Sequence, residues 1–162
     1  LEYSRVGRTS EPENEVNTGE LIEEIIDSLS PPKGFRIKVQ EDMPTLYVDQ
    51  LQLGQVFSNL ISNSLKHHGG EKGKIRITGE NLGEFCKFSV CDNGQGIDPK
   101  YHDKVFMMFQ TLNSGDVENS TGIGLALVKK IVEEHGGTIR LESDVGKGTC
   151  FYFTWPSRRS AG

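Results

Sequence analysis

The sequence predicts an α/β fold of the α+β kind: a two-layer sandwich in which helices cover one face of a mixed, largely antiparallel sheet. Three observations carry this expectation. Helix-like and strand-like segments come in blocks and not in strict alternation, which argues against a doubly wound parallel sheet. Strands such as EFCKFSV, residues 84–90, alternate so that Cys86, Phe88 and Val90 share one side. The 162 residues, 35% of them hydrophobic, suffice for one well-packed domain and fall short of two large ones.

The opening LEYSRV is helix-like and gives way to GRTSEPENEVNTGE, polar and broken by Gly, Pro and Ser, so residues 1–17 are expected to be the tail of a preceding element plus a linker. A domain over 18–156 follows, with a short tail at 157–162. Thr18 is a plausible N-cap for a helix through GELIEEIIDSL, which Pro31 and Pro32 end. Two short strands, FRIKVQ and TLYVD, are joined by a turn containing Met43 and Pro44. A helix from about Gln50 to His67 comes next, then a Gly-rich loop and the strands KIRITGEN and EFCKFSVCD. Asp98 and Pro99 form an N-cap and first-turn pair for a short helix to about Phe109. TLNSGDVENST, residues 111–121, is polar with almost nothing to bury and is expected to be mobile. GIGLALVKKIVEEHGG predicts a helix closed by Gly136 and Gly137. The strands TIRLES and GTCFYFTW finish the fold around a glycine turn at Gly146 and Gly148.

Composition narrows the function. A formal charge of −5, without a run of Lys and Arg, gives no basic field for nucleic acid, so none is expected as a partner. Cys86, Cys91 and Cys150 lie in strand-like runs without metal-ligand spacing and are expected to be reduced core thiols of a cytoplasmic protein. No apolar stretch approaches the length of a membrane span and the N-terminus is no signal peptide, so this segment is expected to make no direct membrane contact.

Three constellations could carry chemistry. Asp92 continues the apolar side of its strand, where a carboxylate is costly unless hydrogen bonds reach it. Asp-Asn-Gly is also a common hairpin turn. A fixed carboxylate there would select adenine, which offers an exocyclic amine, over guanine, and the adjacent Gly94 and Gly96 would let a flat base approach the backbone. On the helix from Gln50, the residues Asn59, Asn63 and Lys66 line up opposite Leu53, Phe57, Leu60 and Ile61. That stripe is either a solvated face or, since Asn is a poor helix former, a place for hydrated magnesium and phosphates. Gly122 and Gly124 start a helix, where unpaired N–H groups favour an anion, although glycines before a helix are often loop chemistry alone. No spaced glycine triplet of a dinucleotide fold and no Walker loop is present.

In this order, these stretches resemble the catalytic and ATP-binding domain of sensor histidine kinases, within the superfamily that also holds gyrase, heat-shock chaperone and mismatch-repair ATPases. QVFSNLISNSLKHH resembles its N box, DNGQGID its first glycine box, KVFMMF its F box, TGIGLALVKKIVEEHGG its second glycine box and GKGTCFYF its last. YSRVGR is similar to the end of the preceding dimerisation helix. The resemblance implies ATP and Mg2+ as ligands, with Asn63 on the metal and Asn59 and Lys66 at the metal-phosphate group as catalytic residues. It makes Asp92 the adenine anchor, Gly94 and Gly96 the floor beneath the base, and Gly122, Gly124 and Leu125 the phosphate-side turn. Ile97, His67 and Thr149 join the nucleotide-binding set, Thr149 supporting Asp92 through water, and residues 111–121 become a mobile ATP lid. Ser120 stands where the second glycine box often starts with another glycine.

None of His67, His68, His102 and His135 lies in a context resembling the family's phosphoacceptor motif; His102 and His135 look structural. The implied activity is therefore donation of the γ-phosphoryl group to a histidine on a dimerisation domain outside this chain, in a homodimeric kinase that serves a response regulator. The alternatives are a hydrolase of the gyrase and chaperone kind and an inactive nucleotide-binding docking module. The hydrolases carry a glutamate base at the place of Asn59, and an amide cannot take a proton from water.

Overall fold

The computed structural model describes residues 13–107 and 122–157. In chain order the elements are β1 (Asn14–Asn17), α1 (Thr18–Leu29), β2 (Phe35–Val39), β3 (Thr45–Val48), α2 (Gln50–His67), β4 (Gly73–Asn81), β5 (Phe85–Asp92), a 3₁₀ turn (Pro99–Tyr101), α3 (Gly122–Glu134), β6 (Ile139–Ser143) and β7 (Thr149–Pro156). A five-stranded sheet runs β2-β4-β5-β7-β6, with β2 parallel to β4 and every other neighbour antiparallel. The three helices pack on this mixed sheet as the second layer, α2 lying between α1 and α3. That is the sandwich the segment order predicts.

The layers are held by alternation. On β5, Cys86, Phe88 and Val90 are fully buried beneath the helices, and on β7 Phe151, Phe153 and Trp155 continue that face. From α2, Leu53, Val56, Phe57, Leu60 and Ile61 close the core. Phe57 meets Phe88 and Phe153 edge-on, each at 5.2 Å between ring centroids. Each such buried side chain contributes about 1.5–3 kcal/mol by leaving water, so this stripe fixes α2 against the sheet.

Three local expectations are corrected. Asn17, not Thr18, caps α1: its Oδ1 accepts from the Glu20 N–H at 3.0 Å, while the buried Thr18 hydroxyl donates to the Pro44 carbonyl at 2.6 Å. Within the stretch read as linker, residues 14–17 form β1, which pairs with β3 in a separate two-stranded sheet because Val16 has a core to enter. β2 and β3, adjacent in sequence, thus belong to different sheets. The helix expected from Asp98 to about Phe109 shrinks to one 3₁₀ turn, capped by Asp98 Oδ1 on the Lys100 N–H at 3.0 Å. KYHDK at its centre offers no apolar stripe to bury, and Phe109 lies outside the described residues.

The cysteines also differ. Cys86 is a free, buried thiol as expected, but Cys91 and Cys150 form a disulfide. They are directly opposed on β5 and β7, their Cα atoms 4.0 Å apart, on the sheet face away from the helices. Strand register, invisible in a residue count, brings them together. Among the described residues no helix is long and apolar enough to cross a membrane. The lid read at 111–121, the dimerisation-helix tail and Ser120 lie outside the described residues.

Candidate functional site

Asp92 ends β5 half-buried, and the turn after it docks onto the C-terminal end of α2. Its Oδ1 accepts from the Gly94 N–H at 2.9 Å, closing an Asx turn. Asn93 Oδ1 accepts from the Lys74 N–H at 2.9 Å and pairs with His68 Nε2 at 2.8 Å. Because the Gly70 N–H donates to His68 Nδ1 at 3.2 Å, the Nε2 side of the ring is assigned as the donor to Asn93. Gln95 completes the docking: its N–H donates to the His68 carbonyl at 2.8 Å and its side-chain amide to the His67 carbonyl at 3.0 Å.

The two glycines of this turn have a reason the sequence did not show. A Cβ at Gly94 would stand 2.8 Å from the His68 carbonyl oxygen, and one at Gly96 would stand 1.9 Å from that of Asp144. Gly96 also has φ of +78°. Both positions are closed by the protein's own backbone. The carboxylate question is answered in part by the same turn, since the Gly94 N–H supplies one donor and the second Asp92 oxygen is left for another.

Ser143, at the end of β6, ties the turn to the far strands. Its hydroxyl donates to the Gly148 carbonyl at 2.8 Å and accepts from the Ile97 N–H at 2.7 Å and from Thr149 Oγ1 at 2.8 Å. One donated and two accepted bonds exhaust a hydroxyl. Thr149 is buried directly opposite Asp92 in the β5–β7 register, and its hydroxyl is engaged by Ser143. Ile97, half-buried, packs against the core beside them.

The stripe on α2 is no solvated face at its centre. Asn63 is 7% exposed, and among the described residues the structure records no hydrogen-bond partner for its amide. Asn59 is half-buried, its Oδ1 lying 3.6 Å from the Cβ position of Gly124. Lys66 and His67 are exposed in the last turn. Gly122, Gly124 and Leu125 fall in the first four residues of α3, whose N–H groups have no acceptor within the helix, and Leu125 sends its side chain into the core. Along α2, Asn63 therefore lies between the start of α3 at Asn59 and the Asp92 turn at His67 and His68. No group of three or more His, Cys, Asp or Glu suited to a metal occurs among the described residues. The orphaned Asn63 amide fits a hard cation that takes an oxygen from the protein and the remainder from phosphate and water.

Residues 48–159 match the model of the histidine kinase-, DNA gyrase B- and HSP90-like ATPases. The chain belongs to this family. Among curated relatives it is 47% identical over 114 residues to the phytochrome-like protein Cph1 of Synechocystis, covering 70% of this chain and 15% of that protein. It is 38% identical over 161 residues to the methanogenesis regulatory histidine kinase FilI of Methanothrix harundinacea, covering 97% and 18%. The chain thus spans less than a fifth of these two relatives, and its extent corresponds to the catalytic ATP-binding domain of sensor histidine kinases. The solved catalytic domain of histidine kinase ThkA superposes with a TM-score of 0.70 at 30% identity, covering 90% of this chain and 95% of that one. Full-length ShkA in complex with AMPPNP superposes at 0.78 with 26% identity, covering 99% and 35%.

The reading of the sequence missed Ser143, Asn93 and the capping amide of Gly94. Asp-x-Gly spacing carried a signal for the last. Ser143 carried none, since only the β6–β7 register brings it beside Ile97 and Thr149.

Proposed function

We propose that this chain binds ATP with Mg2+ and donates the γ-phosphoryl group to a histidine on a dimerisation domain of the same kinase. The observation that carries this reading is α2, which sets Asn63, a buried residue with no hydrogen-bond partner among the described residues, between the Asp92 turn and the glycine start of α3. Asp92 uses its second oxygen for the adenine amine, and Thr149 supports it. Gly94 and Gly96 form the floor under the base, beside Ile97 and His67. Asn63 holds the metal; Asn59 and Lys66 serve the metal-phosphate group, with the first N–H groups of α3 at Gly122, Gly124 and Leu125. Magnesium supplies neutralisation of phosphate charge, and the protein supplies position, which is most of what phosphoryl transfer requires. Support comes from ShkA, solved with an ATP analogue, and from a ThkA crystal holding its response regulator TrrA, whose kinase chain is 28% identical.

The unit runs over 18–156 and takes in β1 at 14–17 from the end of the dimerisation-helix tail and linker read at 1–17, with a tail at 157–162; segment 111–121 is the lid. Its setting is cytoplasmic, its full-length parent is a homodimer, and a response regulator receives the phosphoryl group. Asn59 in place of a glutamate base opposes the hydrolase reading. The test incubates the chain with radiolabelled ATP, alone and with its helical dimerisation domain. Acid-labile label on the added domain alone, at a rate set by concentration, is the expected result. Label on the chain by itself, or fast turnover without transfer, overturns the reading.

A further inference from the structure

The open face of the sheet carries a row that the nucleotide site does not use. Register places Lys38 on β2, Arg76 on β4, Cys91 on β5, Cys150 on β7 and Glu142 on β6 side by side across all five strands. Arg36 and Lys74 form the adjacent row on the first two strands. All four cations are exposed, and among the described residues no ion pair is recorded for any of them. Like charges directly opposed across strands are destabilising, so this block has a local cost without a structural partner. At the other end Glu142 is held by Arg140 Nη1 at 2.6 Å, and that bond keeps its carboxyl below the usual carboxylate range. Tyr152, which Arg140 covers at 4.4 Å, stands beside Cys150 on the same face.

From this arrangement we infer that Cys91 and Cys150 form a reversible thiol–disulfide exchange site, open to a dithiol reductant, whose bonded form braces the Asp92–Thr149 rung of the nucleotide pocket. The reductant class is a Cys-x-x-Cys oxidoreductase. Both sulfurs belong to half-buried residues, and among the described residues no helix covers them. Their environments differ: Cys91 faces Arg76, whereas Cys150 faces Glu142. Cations favour the thiolate and make it the better leaving group. The reductant's thiolate therefore attacks the Cys150 sulfur, the bond between the cysteines breaks, and Cys91 leaves with the electron pair. The second thiol of the reductant gives up its proton and attacks the mixed disulfide, and Cys150 is released as the thiol after taking up a proton. Two electrons pass from the dithiol, which becomes the disulfide.

A consequence follows for the pocket, and it rests on the nucleotide reading above. Cys91 immediately precedes Asp92 and Cys150 immediately follows Thr149, and those two residues are themselves paired. A bond that fixes this rung preorganises it for ligand. By reciprocity, bound nucleotide makes the disulfide harder to reduce by the same factor. In a reducing compartment a disulfide of this kind is transient or sensing and not structural.

The test equilibrates the folded chain in glutathione buffers of graded ratio, with and without ADP, and counts open thiols by alkylation and mass spectrometry. Expected are complete, reversible opening of Cys91 and Cys150 without unfolding, and silence from Cys86, whose thiol burial pushes up. Limiting iodoacetamide should label Cys91 before Cys150, and Arg76→Ala should reduce that preference. Saturating ADP should shift the midpoint glutathione ratio roughly fivefold toward the bonded form, the low end of ordinary coupling. No disulfide at any ratio, or one that opens only on unfolding, overturns the exchange site. Preferential labelling of Cys150 overturns the assignment of leaving group, and equal midpoints with and without ADP overturn the brace. Calorimetry with ADP on C91S/C150S separates the two readings: absent binding there and in the parent chain removes the nucleotide reading and leaves the exchange site standing.

Discussion

Ser143→Ala removes the hydroxyl that joins three parts of the pocket wall. Its loss strands the Ile97 N–H, the Gly148 carbonyl and the Thr149 hydroxyl, each of which has a bond of 2.7–2.8 Å to it. A typical hydrogen bond contributes about 1 kcal/mol net, and a buried group left unpaired costs ~1–3 kcal/mol. Gly148 and Thr149 are buried, whereas Ile97 is half-buried and its amide is nearer to water. We expect a loss of about 2–3 kcal/mol, which for a chain of this length lowers the midpoint of thermal unfolding by roughly 4–12 °C. The deletion adds a cavity of hydroxyl size, too small to hold a bridging water with its own partners. Denaturant unfolding measures the loss, and calorimetry with ATP should show weaker binding because Ile97 and Thr149 are no longer held together. Ser143→Thr, which keeps the hydroxyl and suits a strand, should restore most of both. If Ser143→Ala unfolds within about 0.5 kcal/mol of the parent, the range of an ordinary surface change, the hub contributes nothing and the pocket wall is held by strand register alone.

Asp92→Ala should weaken ATP by about 1–3 kcal/mol and erase the preference over GTP, as read by calorimetry; equal affinity for the two nucleotides in the parent would refute the anchor. Asn63→Ala should cost magnesium-dependent ATP affinity while metal-free ADP binds nearly as before, so parallel losses in both titrations would make Asn63 structural. His68→Ala should destabilise by about 2 kcal/mol in denaturant, because Asn93 and the Gly70 N–H both lose a partner. Gly96→Ala should be more damaging than Gly94→Ala in thermal unfolding, since it adds left-handed strain to a closer backbone contact.

The fold was legible where one residue's neighbours in sequence decide its burial. β5 alternates from Cys86 to Val90, and α2 repeats Leu53, Val56, Phe57, Leu60 and Ile61, so each element declared its inner side. It was less legible where distant pairing decides. FRIKVQ and TLYVD read alike as strands, yet the first pairs parallel with β4 and the second antiparallel with β1. NEVN carries one buried residue, too little for a period to show. The disulfide belongs to the same class of error, because two cysteines 59 residues apart become neighbours only through the β5–β7 register.

At the site, the sequence singled out a set of residues without showing the forces on them. Asn59 and Asn63 were visible as poor helix formers on one stripe, but only packing could show that Asn63 is buried and without a hydrogen-bond partner among the described residues. The glycines of DNGQGID are the sharper lesson. A base lying on the turn would require Gly94 and Gly96 to lack side chains, and so do the His68 and Asp144 carbonyls that press on them without any ligand. Either requirement alone is sufficient for glycine, so the motif cannot separate room for a base from the packing of a turn. Asp92 separates them. The turn uses one of its oxygens, on the Gly94 N–H, and among the described residues no hydrogen bond is recorded for the other. Asp92 is only half-buried, so water can reach its carboxylate in the empty protein, and under the proposed function that second oxygen takes the adenine amine. The nucleotide reading therefore depends on the oxygen the turn leaves over, and a selectivity measurement at Asp92 tests it more directly than any substitution of the glycines.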